Sequence, residues 1–161
     1  MARRLNWSPE QLDTLHIAAS LFQLGMLRLP HGLLDKKEAL TATERLQMQQ
    51  HVHYTVDMLA DIDFGLPVQA VIGQMSERMD GSGYPQGLCG NELLPEARLL
   101  AVANTFCALM RPRAYREARS EVEALAILDS AAAQYDAHFL KTLKVVLAGD
   151  QSRDLIERMR K

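Results

Sequence analysis

The chain has 161 residues, of which 48% are hydrophobic and 24% charged, a size and composition typical of one globular domain with a single core. Its formal net charge of -2 offers no excess of Lys and Arg of the kind that nucleic acids and anionic membranes select. No apolar run approaches the roughly 20 residues that span a bilayer, and the start has no apolar signal-peptide region. Cys89 and Cys107 lie in unlike contexts and form neither a metal-binding spacing nor a disulfide framework. We therefore expect a cytoplasmic single domain, residues 1–161, that binds neither nucleic acid nor membrane.

The start of the chain carries a strong helix signal. Residues 8–11 read Ser-Pro-Glu-Gln, which supplies an N-cap, a proline at the first helical position and a glutamine at the capping-box position. Apolar residues follow at spacings of three and four: Leu12, Leu15, Ala19, Phe22 and Met26. This pattern predicts an amphipathic helix that Gly25 and Pro30 end.

Further helix signals recur along the chain, and strand signals do not. A second capping box at 41–44 opens a helix predicted to reach about Ala60, and Pro67 begins a third. Pro95 begins a helix to about Met110 that is apolar nearly all round and therefore central to the core.

The end of the chain predicts two more helices and a short terminal one. Ser120-Glu-Val-Glu is a third capping box, and Asp136 caps a helix that Gly149 ends. The charged tail with Leu155 and Ile156 predicts a short last helix. The elements together predict an all-α bundle of about six or seven helices, interrupted by one long glycine-rich loop between residues 80 and 94.

That loop carries the most specific motif of the chain. It begins Asp-Gly-Ser-Gly-Tyr-Pro, and its flanks read Glu-Arg-Met before it and Glu-Ala-Arg-Leu-Leu-Ala-Val-Ala-Asn after it. The segment resembles the signature of the HD-GYP family, metal-dependent phosphodiesterases of bacterial cyclic dinucleotides, and the resemblance covers roughly residues 10–145. It implies an HD-domain-like fold. It also implies that the loop contacts diguanylate cyclase (GGDEF) domains or adaptor proteins, through Asp80, Gly81, Gly83, Tyr84 and Pro85.

The resemblance also shows where this chain departs from the family. The family's metal ligands fall here on Phe22, Gln23, Met75, Ser76 and Asn104, with a further position on Cys107. His51 is the only ligand-type residue that carries over. Phe and Met offer divalent cations no comparable donor, and Gln, Asn and Ser offer only neutral oxygens. We therefore expect no metal cofactor, no catalytic residues and no hydrolysis by the family's mechanism. His51 shares a helix face with apolar residues, which favours a buried, hydrogen-bonded core histidine over a metal ligand.

Three arginines are candidates for ligand binding. The resemblance implies that Arg113 and Arg116 contact substrate phosphate or guanine, which guanidinium groups bind by paired hydrogen bonds and stacking. Arg98 is the third candidate, and the structural alternative is that it pairs with Glu77 or Asp80 to hold the loop. Glu77 and Asp80 are themselves first interpreted as groups that fix the loop.

These residues predict a degenerate HD-GYP domain, a pseudoenzyme that acts as a signalling or protein-interaction module. Two alternatives stay open: a cyclic di-GMP receptor that does not hydrolyse its ligand, and a residual metal-dependent phosphodiesterase. Family members usually carry one more helix at the start, which residues 1–7 cannot supply. We therefore expect either a fragment of a longer signalling protein or a core completed by another element, such as a second copy in a homodimer.

Overall fold

The computed structural model describes residues 1–112 and 117–149, and within them the chain is helical with no β-strand. Eight α-helices follow in order: α1 Pro9–Leu21, α2 His31–Leu34, α3 Ala42–Gln49, α4 His51–Met58, α5 Val68–Gln74, α6 Pro95–Met110, α7 Glu121–Ser130 and α8 Ala137–Leu147. Because α2 is a single turn, seven of the helices described are longer than one turn. The predicted all-α fold and helix number are confirmed, whereas the predicted terminal helix around Leu155 lies outside the described residues.

Local capping begins the helices where the sequence predicts. The Ser8, Thr41 and Ser120 hydroxyls each accept a hydrogen bond from the backbone N–H three residues on, and the Gln or Glu there accepts one in return. Asp136 caps α8 by accepting hydrogen bonds from the N–H groups of His138 and Phe139. These bonds satisfy N–H groups that a helix start otherwise leaves unpaired.

Two helix ends differ from the prediction. Helix α1 stops at Leu21, before Gly25, and the chain continues through a 3-10 turn at Leu24–Arg28. The helix predicted from 42 to about 60 divides at Gln50, whose N–H bonds to the carbonyls of Gln47 and Met48.

The turn after α1 packs directly against the backbone of α4. The Thr55 hydroxyl shares its single proton between the carbonyls of His51 (2.8 Å) and Phe22 (3.1 Å), and it accepts from the Gly25 N–H (2.9 Å). A Cβ on Gly25 would collide with the His51 carbonyl oxygen and lie 2.6 Å from the Thr55 nitrogen. Only glycine fits this contact, and the turn that contains it follows the early end of α1.

Helix α6 separates the two halves of the core, as its apolar pattern predicts. One face, with Val102 and Phe106, packs on α7 and α8, and the other, with Ala97 and Leu100, packs on α1 and α5. Met1, Ala2, Leu5 and Trp7 also pack on the first cluster, and the Trp7 ring stands edge-on to Phe139 at 5.9 Å. Among the helices described, none has the length and apolar character needed to cross a bilayer.

Gly25→Ala tests the contact between this turn and α4. We expect the free energy of unfolding to fall by about 2–3 kcal/mol or more in urea denaturation, because the added methyl meets backbone that cannot yield. Gly32→Ala is the matched control, since a Cβ at Gly32 meets no atom within 4 Å. Equal effects of the two substitutions would contradict this packing.

Candidate functional site

A buried carboxylate closes the glycine-rich loop. Glu77 lies just before the loop and is only 1% exposed. Its Oε1 accepts hydrogen bonds from the N–H groups of Gln86 (2.6 Å) and Gly87 (3.1 Å). Charge-assisted bonds of this kind are stronger than neutral ones, so they hold the beginning of the loop against residues 86 and 87. The prediction that Glu77 fixes the loop is confirmed.

The glycines of the motif permit this closure. A Cβ on Gly83 would overlap the backbone of Glu77 and Arg78, so the chain can pass here only as glycine. Gly87 has a φ of 71°, a left-handed conformation that turns its N–H toward the carboxylate. The Tyr84–Pro85 peptide bond is cis, and the Tyr84 N–H donates to the Ser76 carbonyl (3.3 Å). The loop therefore folds back on the segment that precedes it.

The loop is also fixed at the connection between α7 and α8. The Met79 N–H donates to the Gln134 carbonyl (3.1 Å), and the Arg78 guanidinium lies over the Tyr135 ring at 5.3 Å. At the other end the Leu94 N–H donates to the Gln74 side chain (2.7 Å). Two separate parts of the fold, the α7–α8 connection and α5, thus hold the loop.

Asp80 forms a turn at the loop surface, as predicted. Its Oδ1 accepts from the backbone N–H (3.0 Å) and the hydroxyl (2.6 Å) of Ser82. Hydrogen bonds from the Ser82 hydroxyl and N–H lower the pKa of this exposed carboxyl. Asp80 has no contact with Arg98, so the proposed pairing of these residues is wrong.

Tyr84 is less exposed than its place in a loop predicts. Its ring is half-buried and lies edge-on to the His51 imidazole, with 6.4 Å between ring centroids, and Pro85 and Leu88 are also half-buried. The exposed side chains on either side of Tyr84 are those of Ser82 and Gln86, which form the tip of the loop.

His51 is a buried, hydrogen-bonded histidine, as predicted. It is 8% exposed, and its Nδ1 lies 2.8 Å from the Met48 carbonyl oxygen. Because a carbonyl only accepts, Nδ1 carries the proton and Nε2 keeps its lone pair. Burial lowers the pKa of the imidazole, opposed by the Met48 hydrogen bond.

The other predicted ligand positions do not form a cation site with His51. Phe22 and Met75 pack in one apolar cluster with residues of α1, α5 and α6, Gln23 is exposed, and Ser76 and Asn104 are half-buried. Across residues 1–112 and 117–149, no three His, Cys, Asp or Glu side chains converge to hold a metal ion. The donors present therefore do not fit the two-metal centre that the resemblance implies.

Arg98 pairs with Asp136, whose sequence context predicts only a helix cap. Its guanidinium is 3.1 Å from Asp136, and both side chains are mostly buried, so the expected pairing with Glu77 is also wrong. Asp136 thus caps α8 with one oxygen and binds α6 with the other. The Nε of Arg98 is buried without a hydrogen-bond partner among the described residues. Arg113 and Arg116 lie outside the described residues.

Comparison with known proteins identifies the family. The family described as HD domain matches residues 1–139. The chain is 37% identical over 130 residues to the cyclic di-GMP phosphodiesterase response regulator RpfG of Xanthomonas campestris, and 33% identical over 129 residues to the 3'3'-cGAMP-specific phosphodiesterase 3 of Vibrio cholerae. Each alignment covers 80% of this chain but only 34% and 28%, respectively, of the relative, so the chain spans about a third of their length.

Two solved structures share the fold. Bd1817, an HDGYP protein from Bdellovibrio bacteriovorus, superimposes with a TM-score of 0.74 at 22% identity, over 92% of this chain and 48% of that one. A cyclic GMP-AMP phosphodiesterase from V. cholerae gives a TM-score of 0.70 at 16% identity, over 98% and 45%. The chain belongs to the HD domain family. Its predicted resemblance to HD-GYP proteins is confirmed by these relatives.

His51→Gln tests the burial of the imidazole in chelator-treated protein. Because burial lowers the folded-state pKa, the unfolded chain binds more protons below about pH 6.5, and the free energy of unfolding should fall as the pH drops through that range. The variant should lose this part of the pH dependence, measured by denaturation from pH 7.5 to 5. The control His53→Gln, on the exposed face of the same helix, should keep it. A pH profile that is unchanged in His51→Gln would contradict the assignment.

Glu77→Gln tests the carboxylate that closes the loop. The change keeps the shape but removes the charge from bonds to two N–H groups, so we expect the free energy of unfolding to fall by about 1.5–3 kcal/mol. The Gln86 and Gly87 amides should exchange hydrogen faster, as measured by NMR. Asp80→Asn, which alters an exposed turn of the same loop, should have a smaller effect on both. Unchanged exchange at Gln86 and Gly87 would rule out this role.

Proposed function

We propose that this HD domain acts in cyclic-dinucleotide signalling as a protein-interaction module that does not hydrolyse the dinucleotide. The observation that carries the proposal is a contrast within one site. The Asp-Gly-Ser-Gly-Tyr-Pro loop is closed by the Glu77 carboxylate, whereas Phe22 and Met75 occupy two predicted ligand positions with packed apolar side chains. A loop that is held in place beside apolar side chains at two predicted ligand positions favours recognition over catalysis.

The apolar packing supports the absence of hydrolysis. Phosphodiester hydrolysis by a metal centre needs cations that lower the pKa of a bound water and neutralise charge on the phosphate. Met75 is 4% exposed, and Phe22 packs on the same cluster, so neither leaves a polar donor where a cation would lie. His51 alone, with one nitrogen bound to the Met48 carbonyl, offers a single donor.

The loop geometry supports a role in binding. Rigid loops bind partners at a lower entropic cost than mobile ones, and this loop is held by backbone contacts at both ends. At its tip Ser82 and Gln86 are exposed, whereas Tyr84 and Pro85 are half-buried. A GGDEF domain or an adaptor protein in the cytoplasm is the partner that we propose for this tip.

A phosphodiesterase is the second candidate, because the relatives carry that name at 33–37% identity. In this case His51 Nε2 would be one donor to a rearranged site. The two candidates differ in metal content and turnover, whereas the binding role is tested separately at the loop tip.

Binding of a purified GGDEF domain, measured by surface plasmon resonance, tests the loop. Gln86→Arg places a bulky charge on the exposed tip, and Tyr84→Ala removes the ring beneath it, so each should weaken binding by about tenfold or more. Tyr54→Ala is the matched control, because Tyr54 is also a half-buried aromatic residue but lies on α4 beneath Arg28. Unchanged binding in both loop variants, or an equal loss in Tyr54→Ala, would contradict the proposed interface.

A further inference from the structure

An open groove lies on the surface of α8, away from the site described above. It encloses about 480 Å³. Its lining consists of Arg4, Leu5, His138, Lys141, Thr142 and Val145. Four of these residues recur at intervals of three and four along α8 and therefore form one stripe of the helix. None of them is a predicted site residue, so the groove is a separate feature.

The charged side chains of the groove are cations that no described carboxylate neutralises. Arg4 and Lys141 are exposed, and neither forms an ion pair within residues 1–112 and 117–149. Two acidic residues that precede α8 are already paired: Asp129 binds Lys144 at 2.6 Å, and Asp136 binds Arg98 at 3.1 Å. Helix α8 itself contains no Asp or Glu. The groove therefore presents net positive charge on a chain whose overall charge is -2.

The rest of the lining is suited to an aliphatic side chain and a hydrogen-bond donor. Val145 is 47% exposed, and Leu5 is half-buried with its inner side on the core. The Thr142 hydroxyl donates to the His138 carbonyl (2.9 Å), which leaves its oxygen lone pairs as acceptors. The volume suits a few side chains, within the roughly 300–1,000 Å³ typical of small ligand sites.

We propose that this groove binds a short acidic segment of a partner protein. Its carboxylates pair with Arg4 and Lys141, and an aliphatic side chain between them packs on Leu5 and Val145. Charge complementarity favours this occupant, since guanidinium and ammonium groups bind carboxylates by charge-assisted hydrogen bonds. Two cations beside aliphatic side chains are too few for an anionic membrane, which selects clusters of about four to eight.

The groove lies on the helix that also anchors the loop. Helix α8 begins after Tyr135 and Asp136, which contact Arg78 and Arg98. The groove and the loop tip nevertheless share no residue. The proposal therefore goes beyond the interaction proposed for the loop, and either can fail while the other holds.

A synthetic peptide tests the groove. The probe is a fluorescein-labelled peptide of roughly 12 residues with Glu and Leu at helical spacing, titrated with the full chain at low salt and followed by anisotropy. We expect micromolar binding that weakens with added salt. Arg4→Glu and Lys141→Glu should each weaken it by about tenfold or more. Lys141→Ala removes the charge without reversing it and should also weaken peptide binding. This variant keeps the test decisive if the charge reversals disturb folding.

Lys37→Glu is the matched control, because Lys37 is exposed, lies on a different part of the chain and makes no ion pair among the described residues. Its binding should equal that of the unmodified chain. The proposal is overturned if the peptide does not bind, or if Lys37→Glu weakens binding as much as Lys141→Glu. It is also overturned if phosphatidylglycerol vesicles or single-stranded DNA bind the groove more tightly than the peptide does. Binding of a GGDEF domain should be unchanged in Lys141→Glu, which separates this outcome from that of the loop.

Discussion

The buried carboxylate of Glu77 is the interaction on which the glycine-rich loop depends. An unpaired buried charge costs several kcal/mol, so a carboxylate with 1% exposure requires compensating donors. The N–H groups of Gln86 and Gly87 supply them, and they reach the carboxylate only because Gly83 lets the chain pass against the Glu77 backbone. The Glu77 carboxylate therefore needs the close approach that Gly83 and Gly87 allow, and these glycines are held in place by Glu77. This mutual dependence gives a long irregular segment a single conformation.

The same side of the fold contains the apolar packing around Phe22 and Met75. Full burial of a side chain such as Met75 contributes about 1.5–3 kcal/mol, and the half-buried Phe22 packs on the same cluster between α1, α5 and α6. Ligand-type residues there would have to be hydrated, paired or metal-bound to be tolerated. Packing at Met75 and Phe22 therefore adds to the stability of this part of the core and places apolar side chains at two of the predicted ligand positions. The proposed interaction module combines that core with a loop whose geometry does not require a metal.

Features set by neighbouring residues could be predicted from the sequence, and features set by distant contacts could not. The capping boxes at Ser8, Thr41 and Ser120 are local, and each begins a helix at the predicted place. The early end of α1 depends on Thr55, about 30 residues away, whose hydroxyl binds the Gly25 N–H. A threonine within a helix gives only a weak sequence signal of such a bond.

The site shows the same division. The roles of Glu77 and Asp80 in the loop follow from turn chemistry and were predictable. The partner of Arg98 was not, because Asp136 lies 38 positions away and its sequence context indicates only a helix cap. The half-burial of Tyr84 likewise depends on a distant contact, since its ring lies against the His51 ring on α4. Loop sequence alone indicates exposure, and packing against a distant helix overrides it.

The most direct test of the proposed lack of a metal centre is elemental analysis combined with an assay of cyclic di-GMP turnover. The metal content of the purified chain is measured before and after incubation with iron(II) or manganese(II). Given the apolar contacts of Phe22 and Met75, we expect well under one equivalent of metal per chain and no hydrolysis above the metal-only blank. Two equivalents of bound metal with turnover would contradict this account and establish a phosphodiesterase.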